Sequence, residues 1–465
     1  MVEPAADDRC VATITRTYCR RTARSKELHD RAVKYLPGGD TRTAVFFAPY
    51  PTFIVRGQGC RVHDADDNEY IDHLNNYTVQ LLGHNQPDIC AAAFAQLKMG
   101  MNFAAPHENQ ILLAEELCRR IPCFEQVRFC NSGTEATMFA IRAARAFTGR
   151  DKILKMEGIY HGTHDMVELS VFPPLEDAGT PLRPKPVPSS AGIPAGVFQN
   201  VLVAPFNDID ATQAIIEANR DDLAAVIIEP VMTAAGVIPA TAAYLAYLRE
   251  VTLKLGIVLI FDEVVTFRLA PGGAQESFGV IPDLTCIGKL IGGGLAVGAF
   301  GGSREIMAQF SPVGGRLRHS GTFNGHPVTM IAGWTAMKLL TPEIYRRVND
   351  LGDYLRREIN AKVFEDLALN AHMTGVGSLS FVHYTRDKIH DYRSARSAMD
   401  NAGNLPSIVH LCHLNNGIWI AERGEYALST PMTPEDIDQT VAAFRRSFIE
   451  VLPLIEKYYP HLILK

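Results

Sequence analysis

Short apolar runs and helical stretches take turns through the middle of the chain. The runs fall near 127–130, 152–156, 201–205, 224–229, 257–262 and 284–288, each bounded by turn residues. Runs that are apolar at nearly every position are buried on both faces, as in a parallel sheet. Their alternation with helical spacing predicts a doubly wound, mostly parallel α/β domain. Upstream, Leu28, Ala32, Val33 and Leu36 share one face of a helix expected over 24–36 and ended by Pro37-Gly38-Gly39. Residues 52–72 alternate around Asp64-Ala65-Asp66-Asp67-Asn68, the pattern of a hairpin. Seven prolines make residues 171–196 an extended loop, either a surface insertion or a wall of a site. Beyond about residue 330 helical periods return, and alternation at 372–384 and 416–429 predicts a smaller α+β lobe. The expected division is 1–75 contributing to the small domain, 76–330 as the large domain, and 331–465 completing the small one.

Composition narrows the class. A chain of 465 residues is long enough for two domains, and 47% hydrophobic with 21% charged residues is ordinary for a globular enzyme. A net charge of -6 leaves no electrostatic footprint for nucleic acid or an anionic membrane. No apolar stretch reaches the length of a membrane helix. Nine cysteines without a C-x-x-C pair suit reduced thiols better than a disulfide framework. The first 24 residues hold Arg9, Arg16, Arg20, Arg21 and Arg24, but also Glu3, Asp7 and Asp8, and such acids argue against a transit peptide. The cytoplasm is the expected compartment.

The candidate chemistry sits at the ends of the strands. Asp262 ends the run Ile257–Phe261, and Lys289 follows Leu284–Gly288. A lone charge at a strand end is costly to desolvate, so it either reaches solvent or serves a site. Pyridoxal phosphate needs this pair of groups, a lysine for the Schiff base and a carboxylate for the pyridinium nitrogen. Asn131-Ser132-Gly133-Thr134 turns a strand into a helix, and such a turn serves as an N-cap, an anion cradle, or both. Tyr160 lies just beyond a strand end and can stack on a flat ring or belong to the core. His161 with His164, and His410 with His413, have a metal-like gap but no Cys or Asp in ligand spacing, so no metal is expected. Glycines 292–294, 298, 301 and 302 spell no dinucleotide fingerprint and suit close backbone approach or a tight turn.

Taken together, these residues resemble the class III, fold type I pyridoxal-phosphate aminotransferases. The matching pieces are Asn131–Ala136, Tyr160-His161-Gly162, Glu229-Pro230, Phe261–Val264, Gly288-Lys289 and Ser320–Phe323, in the family's order over about residues 25–450. The resemblance implies pyridoxal 5'-phosphate as cofactor, Lys289 as the Schiff-base lysine and Asp262 as the partner of the ring nitrogen. It implies Ser132, Gly133 and Thr134 as the phosphate turn and Tyr160 as the stacking aromatic. Glu229 ends a strand facing the cofactor, its role open. Thr322 matches a residue reaching the phosphate from the neighbouring subunit, which implies a homodimer with its sites at the interface.

Within the family, Pro37-Gly38-Gly39 is similar to glutamate-1-semialdehyde aminomutases. Asp40–Thr43, Phe47–Pro51, Arg268–Pro271 and Glu422–Gly424 resemble the β-amino-acid (β-phenylalanine) aminotransferases. That resemblance implies Arg42 and Arg423 as holders of the carboxylates of amino donor and keto-acid acceptor (2-oxoglutarate or pyruvate); on sequence alone both also read as ordinary surface charges. A β-amino acid carries its amine one carbon further from the carboxylate, so an arginine placed for α-substrates misplaces the reacting carbon. Two separated arginines, or one that moves, resolve this, because a guanidinium clamps carboxylates bidentately and stays charged. The alternatives are an aminomutase, a racemase or decarboxylase of the same fold, and a non-catalytic scaffold.

Overall fold

In the computed structural model, which describes residues 8–464, the apolar runs become strands of one seven-stranded sheet. The strands are β1 (Gln126–Cys130), β2 (Lys152–Met156), β3 (Val201–Ala204), β4 (Leu223–Ile228), β5 (Val258–Asp262), β6 (Leu284–Gly288) and β7 (Gly298–Gly302). Their order is β1-β7-β6-β5-β4-β2-β3. Only β7 runs antiparallel to its neighbours β1 and β6. Both faces are covered, which is why successive residues are all apolar. Val258 and Ile260 pack with helix Gly133–Thr148, while Leu259 and Phe261 pack with Tyr244, Leu245 and Leu248 of helix Ala242–Leu255.

β7, Gly-Ala-Phe-Gly-Gly, is a strand that the pattern did not predict. Its glycines are read above as close approaches or turns, and three of them are close approaches between strands. A Cβ on Gly302 would lie 2.1 Å from the Asp283 carbonyl oxygen, and one on Gly298 would lie 2.0 Å from that of Ser132. Glycine forgoes strand propensity there so that β7 can slot between β1 and β6.

The chain divides into two compact units. The larger holds Pro87–Arg346 and Ile389–Arg396; the other holds the chain up to Gln86, Arg347–Lys388 and the chain from Ser397 onward. These divisions lie beyond those expected at 75 and 330. Helix Pro327–Leu339 stays with the large unit because it packs on helices Pro87–Met99 and Glu108–Arg120.

In the smaller unit, the expected hairpin is a three-stranded meander, Ile54–Gln58, Arg61–Asp64 and Glu69–Asp72, with Ile418–Trp419 added parallel to its last strand. The helix expected over 24–36 spans Ala23–Ala32, leaving Val33 and Leu36 exposed. Leu36 is extended ahead of Pro37, as a residue preceding proline prefers. A preceding helix, Arg9–Arg21, was not expected; Ile14 and Tyr18 form its buried side. Glu3 and Asp7, weighed against a transit peptide, lie outside the described residues.

Two buried charges in the large unit are unexpected. Glu157, just past β2, receives the Arg393 guanidinium at 2.8 and 2.9 Å. Arg393 also donates to the carbonyls of Gly179 (3.0 Å) and Ala178 (3.2 Å), and Tyr392 Oη donates to the Pro173 carbonyl at 2.7 Å. The returning segment Ile389–Arg396 therefore fastens the base of the proline-rich loop to the end of β2. Lys155, within β2, is fully buried with its Nζ donating to the carbonyls of Leu169 (2.6 Å) and Met156 (3.3 Å). Burial depresses its ammonium to about 7, against the pull of Glu157 and Glu229.

Both charges have measurable consequences. Arg393→Ala leaves Glu157 buried and unpaired, so it should destabilise the protein by about 3–5 kcal/mol and speed proteolytic cleavage within 171–196. A stable variant with native cleavage would contradict the fastening. For Lys155, the unfolded chain binds the extra proton between about pH 7 and the ordinary lysine value, so this group's contribution to stability rises with pH there. The slope is at most about 1.4 kcal/mol per pH unit. Lys155→Met lacks it, so the melting temperature of the native protein should gain on that of the variant between pH 7.5 and 9.5; parallel curves would refute the burial effect.

Candidate active site

The side chains marked for chemistry in the large unit emerge at the carboxyl ends of parallel strands, where open α/β sheets take ligands. β1 ends in the Asn131–Thr134 turn, β2 leads to Tyr160, β4 to Glu229 and β6 to Lys289, and Asp262 is the last residue of β5. The ends of β1, β5 and β6 converge tightly. A Cβ on Gly133 would sit 3.1 Å from both methyls of Val264, and one on Gly288 would sit 3.6 Å from Val264 and 3.8 Å from the Gly133 nitrogen. Substitution at these positions would fill the space between the turn, Asp262's neighbour and the lysine.

The Asn131–Thr134 turn opens a 16-residue helix. Ser132 Oγ accepts the Glu135 N–H at 3.1 Å, so the serine is an N-cap. The dipole of a helix this long favours an anion at that end. Across from it, Gly162 adopts φ +104°, and a Cβ there would lie 2.6 Å from Thr134 Oγ1. Thr137 Oγ1 donates to the His161 carbonyl at 2.6 Å, tying the helix to the Tyr160–Gly162 turn. Tyr160 is 44% exposed, which removes its reading as a core residue.

Asp262 is buried, with Oδ1 accepting the Val264 N–H at 3.1 Å and Oδ2 accepting His161 Nδ1–H at 2.8 Å. That bond fixes the tautomer of a fully buried ring, whose pKa is lowered by desolvation against the opposing pull of Asp262. His161 Nε2 has no hydrogen-bond partner among the described residues. Glu229 accepts the Thr233 N–H at 3.1 Å and the Thr233 hydroxyl at 2.7 Å. Burial, and then the charge of Asp262, push its carboxyl well above the usual range, while Lys289 draws it back. Lys289 is half-buried with φ +50°, a left-handed conformation that non-glycine residues adopt at a cost and that clusters at functional sites.

An anion-favouring turn, a half-exposed aromatic ring, a buried carboxylate and a lysine make up the donor set that pyridoxal phosphate requires. The large unit thus gathers Ser132, Gly133, Thr134, Tyr160, Glu229, Asp262 and Lys289 at one edge of the sheet. Thr322 is exposed, its carbonyl accepting from Asn102 Nδ2 at 3.3 Å, and, two residues on, Asn324 Oδ1 accepts from Asn131 Nδ2 of the turn at 2.8 Å. His161 and His164 both meet Thr137 Oγ1, the former through its carbonyl at 2.6 Å and the latter through Nε2 at 3.3 Å, while the His161 ring turns to Asp262. His410 and His413 instead pack against the rings of Phe47 and Phe444.

The smaller unit holds both arginines. Arg42 Nη1 donates to Asn76 Oδ1 at 2.8 Å. Arg423 pairs with the buried carboxylate of Glu425, and its guanidinium lies 5.7 Å from the centre of the Tyr77 ring. Sequence reading gave no individual role to Asn76 or Tyr77, and took His161 only as part of the Tyr160-His161-Gly162 match and of a metal-like pair with His164. For His161 there was a signal, since it directly follows the aromatic residue at a strand end.

Comparison with known proteins agrees with this chemistry. The family description "Aminotransferase class-III" matches residues 44–446. A glutamate-1-semialdehyde 2,1-aminomutase from Methanosphaera stadtmanae is 41% identical over 424 residues, 90% of this chain and 97% of that protein. Among solved structures, an omega-transaminase from Sphaerobacter thermophilus is 45% identical with a TM-score of 0.87, covering 92% of this chain and 98% of its own. A β-phenylalanine aminotransferase from Variovorax paradoxus is 35% identical with a TM-score of 0.86, over 98% and 99% of the two chains. With the fold, the strand-end residues and these likenesses in agreement, the chain belongs to the class III aminotransferases, enzymes that depend on pyridoxal phosphate.

Proposed function

We propose that this enzyme moves the amino group of a β-amino acid, such as β-phenylalanine, to a 2-keto acid such as 2-oxoglutarate or pyruvate. The observation that carries the reading is the gathering of Arg42 and Arg423 around neighbouring residues Asn76 and Tyr77. Two guanidinium groups so disposed suit two carboxylates held by turns at different distances from the reacting carbon. The likeness to the β-phenylalanine aminotransferase supports it.

When bound, pyridoxal phosphate supplies an electron sink for the carbon that bears the nitrogen. In this reading Ser132, Gly133 and Thr134 hold the phosphate, and Tyr160 covers one face of the ring. Asp262, oriented by His161, keeps the ring nitrogen protonated. Glu229, uncharged through burial, adds no second negative charge beside Asp262. Lys289 anchors the cofactor and, as a neutral amine, takes the proton from the donor carbon and later returns it. Because the keto product of the donor leaves before the acceptor enters the same site, ping-pong kinetics follow.

The reading includes a homodimer in the cytoplasm. Phe94, Met99, Met101, Phe103 and Ile111, on two helices and the turn between them, are exposed apolar side chains suited to a second copy. Asn102 ties Thr322 to that surface, consistent with Thr322 reaching a partner's phosphate. Nine cysteines, none of them in a disulfide among the described residues, accord with a reducing compartment.

A second reading, an aminomutase that shifts nitrogen within one molecule, is favoured by the 41% identity to such an enzyme. The two separate in one assay. The purified holoenzyme given β-phenylalanine should bleach its cofactor absorbance and stop after one half-turnover until a keto acid is added. Continuous turnover of glutamate-1-semialdehyde without a keto acid would establish the mutase instead. Lys289→Ala should lose turnover by several orders of magnitude; native rates would overturn the assignment of that residue.

A further inference from the structure

Directly after the strand Glu69–Asp72, the backbone does something that neither substrate chemistry nor the sheet explains. Asn75, Asn76, Tyr77 and Thr78 have φ of 50, 50, 52 and 75°, a run of four left-handed residues without a glycine. Asparagine visits this region with moderate ease, but an aromatic and a β-branched residue do so only under external constraint. The constraint is present. Asp72 Oδ1 accepts the N–H groups of Leu74 (2.9 Å) and Asn75 (2.8 Å), and Asn75 Nδ2 donates to the Ala427 carbonyl at 2.6 Å. The Gln80 N–H closes on the Asn75 carbonyl at 3.0 Å, and Tyr77 Oη donates to the carbonyl of Ala44.

The two central residues of this turn hold the two arginines. Asn76 takes Arg42 through its amide oxygen, and Tyr77 underlies Arg423 with its ring. Both guanidinium charges act on the Tyr77 phenol, which burial raises and Arg423 and Arg42 lower. The partners differ in kind. Among the described residues the side-chain partner of Arg42 is a neutral amide, whereas Arg423 is paired with the Glu425 carboxylate. An incoming carboxylate meets a full cation at the first position and must compete with a resident carboxylate at the second.

We propose that the left-handed turn Asn75–Thr78 is a specificity-determining platform, with Asn76 and Tyr77 as positioning residues that set the separation and unequal charge of the two carboxylate anchors. The inference rests on the reading of Arg42 and Arg423 as those anchors. Asn76 is exposed, and glycine or aspartate can occupy its backbone conformation, so variants there need not disturb the fold.

Three variants of the holoenzyme test it: Arg42→Ala, Asn76→Gly and Asn76→Asp. Each is compared on an aromatic β-amino acid and on an arylalkylamine of similar size that lacks a carboxylate. The readout is the KM ratio of the two donors, with kcat recorded separately. Arg42→Ala should raise that ratio about ten-fold, the loss of one charged contact. Asn76→Gly, which keeps the turn but frees Arg42, should raise it several-fold at near-native kcat. Asn76→Asp, which neutralises Arg42, should match or exceed the arginine deletion. Should Arg42→Ala shift the ratio while both Asn76 variants leave it native, the platform is refuted and the arginine reading survives. Should Arg42→Ala leave the ratio native, the arginine reading falls and the platform with it. Equal losses on both donors in the Asn76 variants would mark a merely structural turn and also overturn the proposal.

Discussion

The carboxylate of Asp262 closes a strand whose other residues are all buried and apolar, and a negative charge there survives only if the protein answers it. Two contacts do so, an amide from Val264 and the ring N–H of His161. Much of the surrounding geometry follows from seating that imidazole. The His161 carbonyl is held by Thr137, and Gly162 takes a conformation that a side chain would block against Thr134. The helix beginning at Gly133 is thereby drawn up to the same strand ends. Burial of Glu229, and then the charge of Asp262 beside it, shift its carboxyl toward the neutral form.

This dependence also separates what was legible in the chain from what was not. The strands were readable because a sheet covered on both faces demands apolar residues at every position, so Val258–Phe261 stands out without any periodicity. Lys289 and Asp262 were readable as charges that interrupt such runs. β7 was not, since glycines carry no hydrophobic signal and their use is visible only against the carbonyls that press on them. Lys155 looked like part of a strand, and only the fold brings the carbonyls of Leu169 and Met156 to its amino group. The His161–Asp262 pair spans strands that are not neighbours in the sheet, since β4 lies between β2 and β5, so no local spacing could indicate it. Arg42 and Arg423 were singled out by resemblance alone. Their companions Asn76 and Tyr77 could be given no role of their own, because a left-handed turn made without glycine has almost no compositional mark.

Functionally, the chain combines shared and particular chemistry. The strand-end residues of the large unit are of the kinds that transaminases and aminomutases alike require, in keeping with substantial identity to both. What distinguishes the activities is how the carboxylates and the reacting carbon are spaced, and whether the amino group is handed to a second molecule. In the function proposed above, the groups that bear on this choice lie in the smaller unit, where Arg42 meets a neutral amide and Arg423 a carboxylate.

The fastening of Glu157 has a bearing on how the protein is made. All seven strands have been synthesised by Gly302, yet Arg393 lies some ninety residues further along the chain. While it emerges from the ribosome, the nascent sheet carries an acid without its countercharge and a proline-rich loop without its clasp. Final consolidation of the large unit must wait for Ile389–Arg396, by which point most of the smaller unit's residues have also been translated. Maturation of the two units is therefore coupled in time through a segment of eight residues.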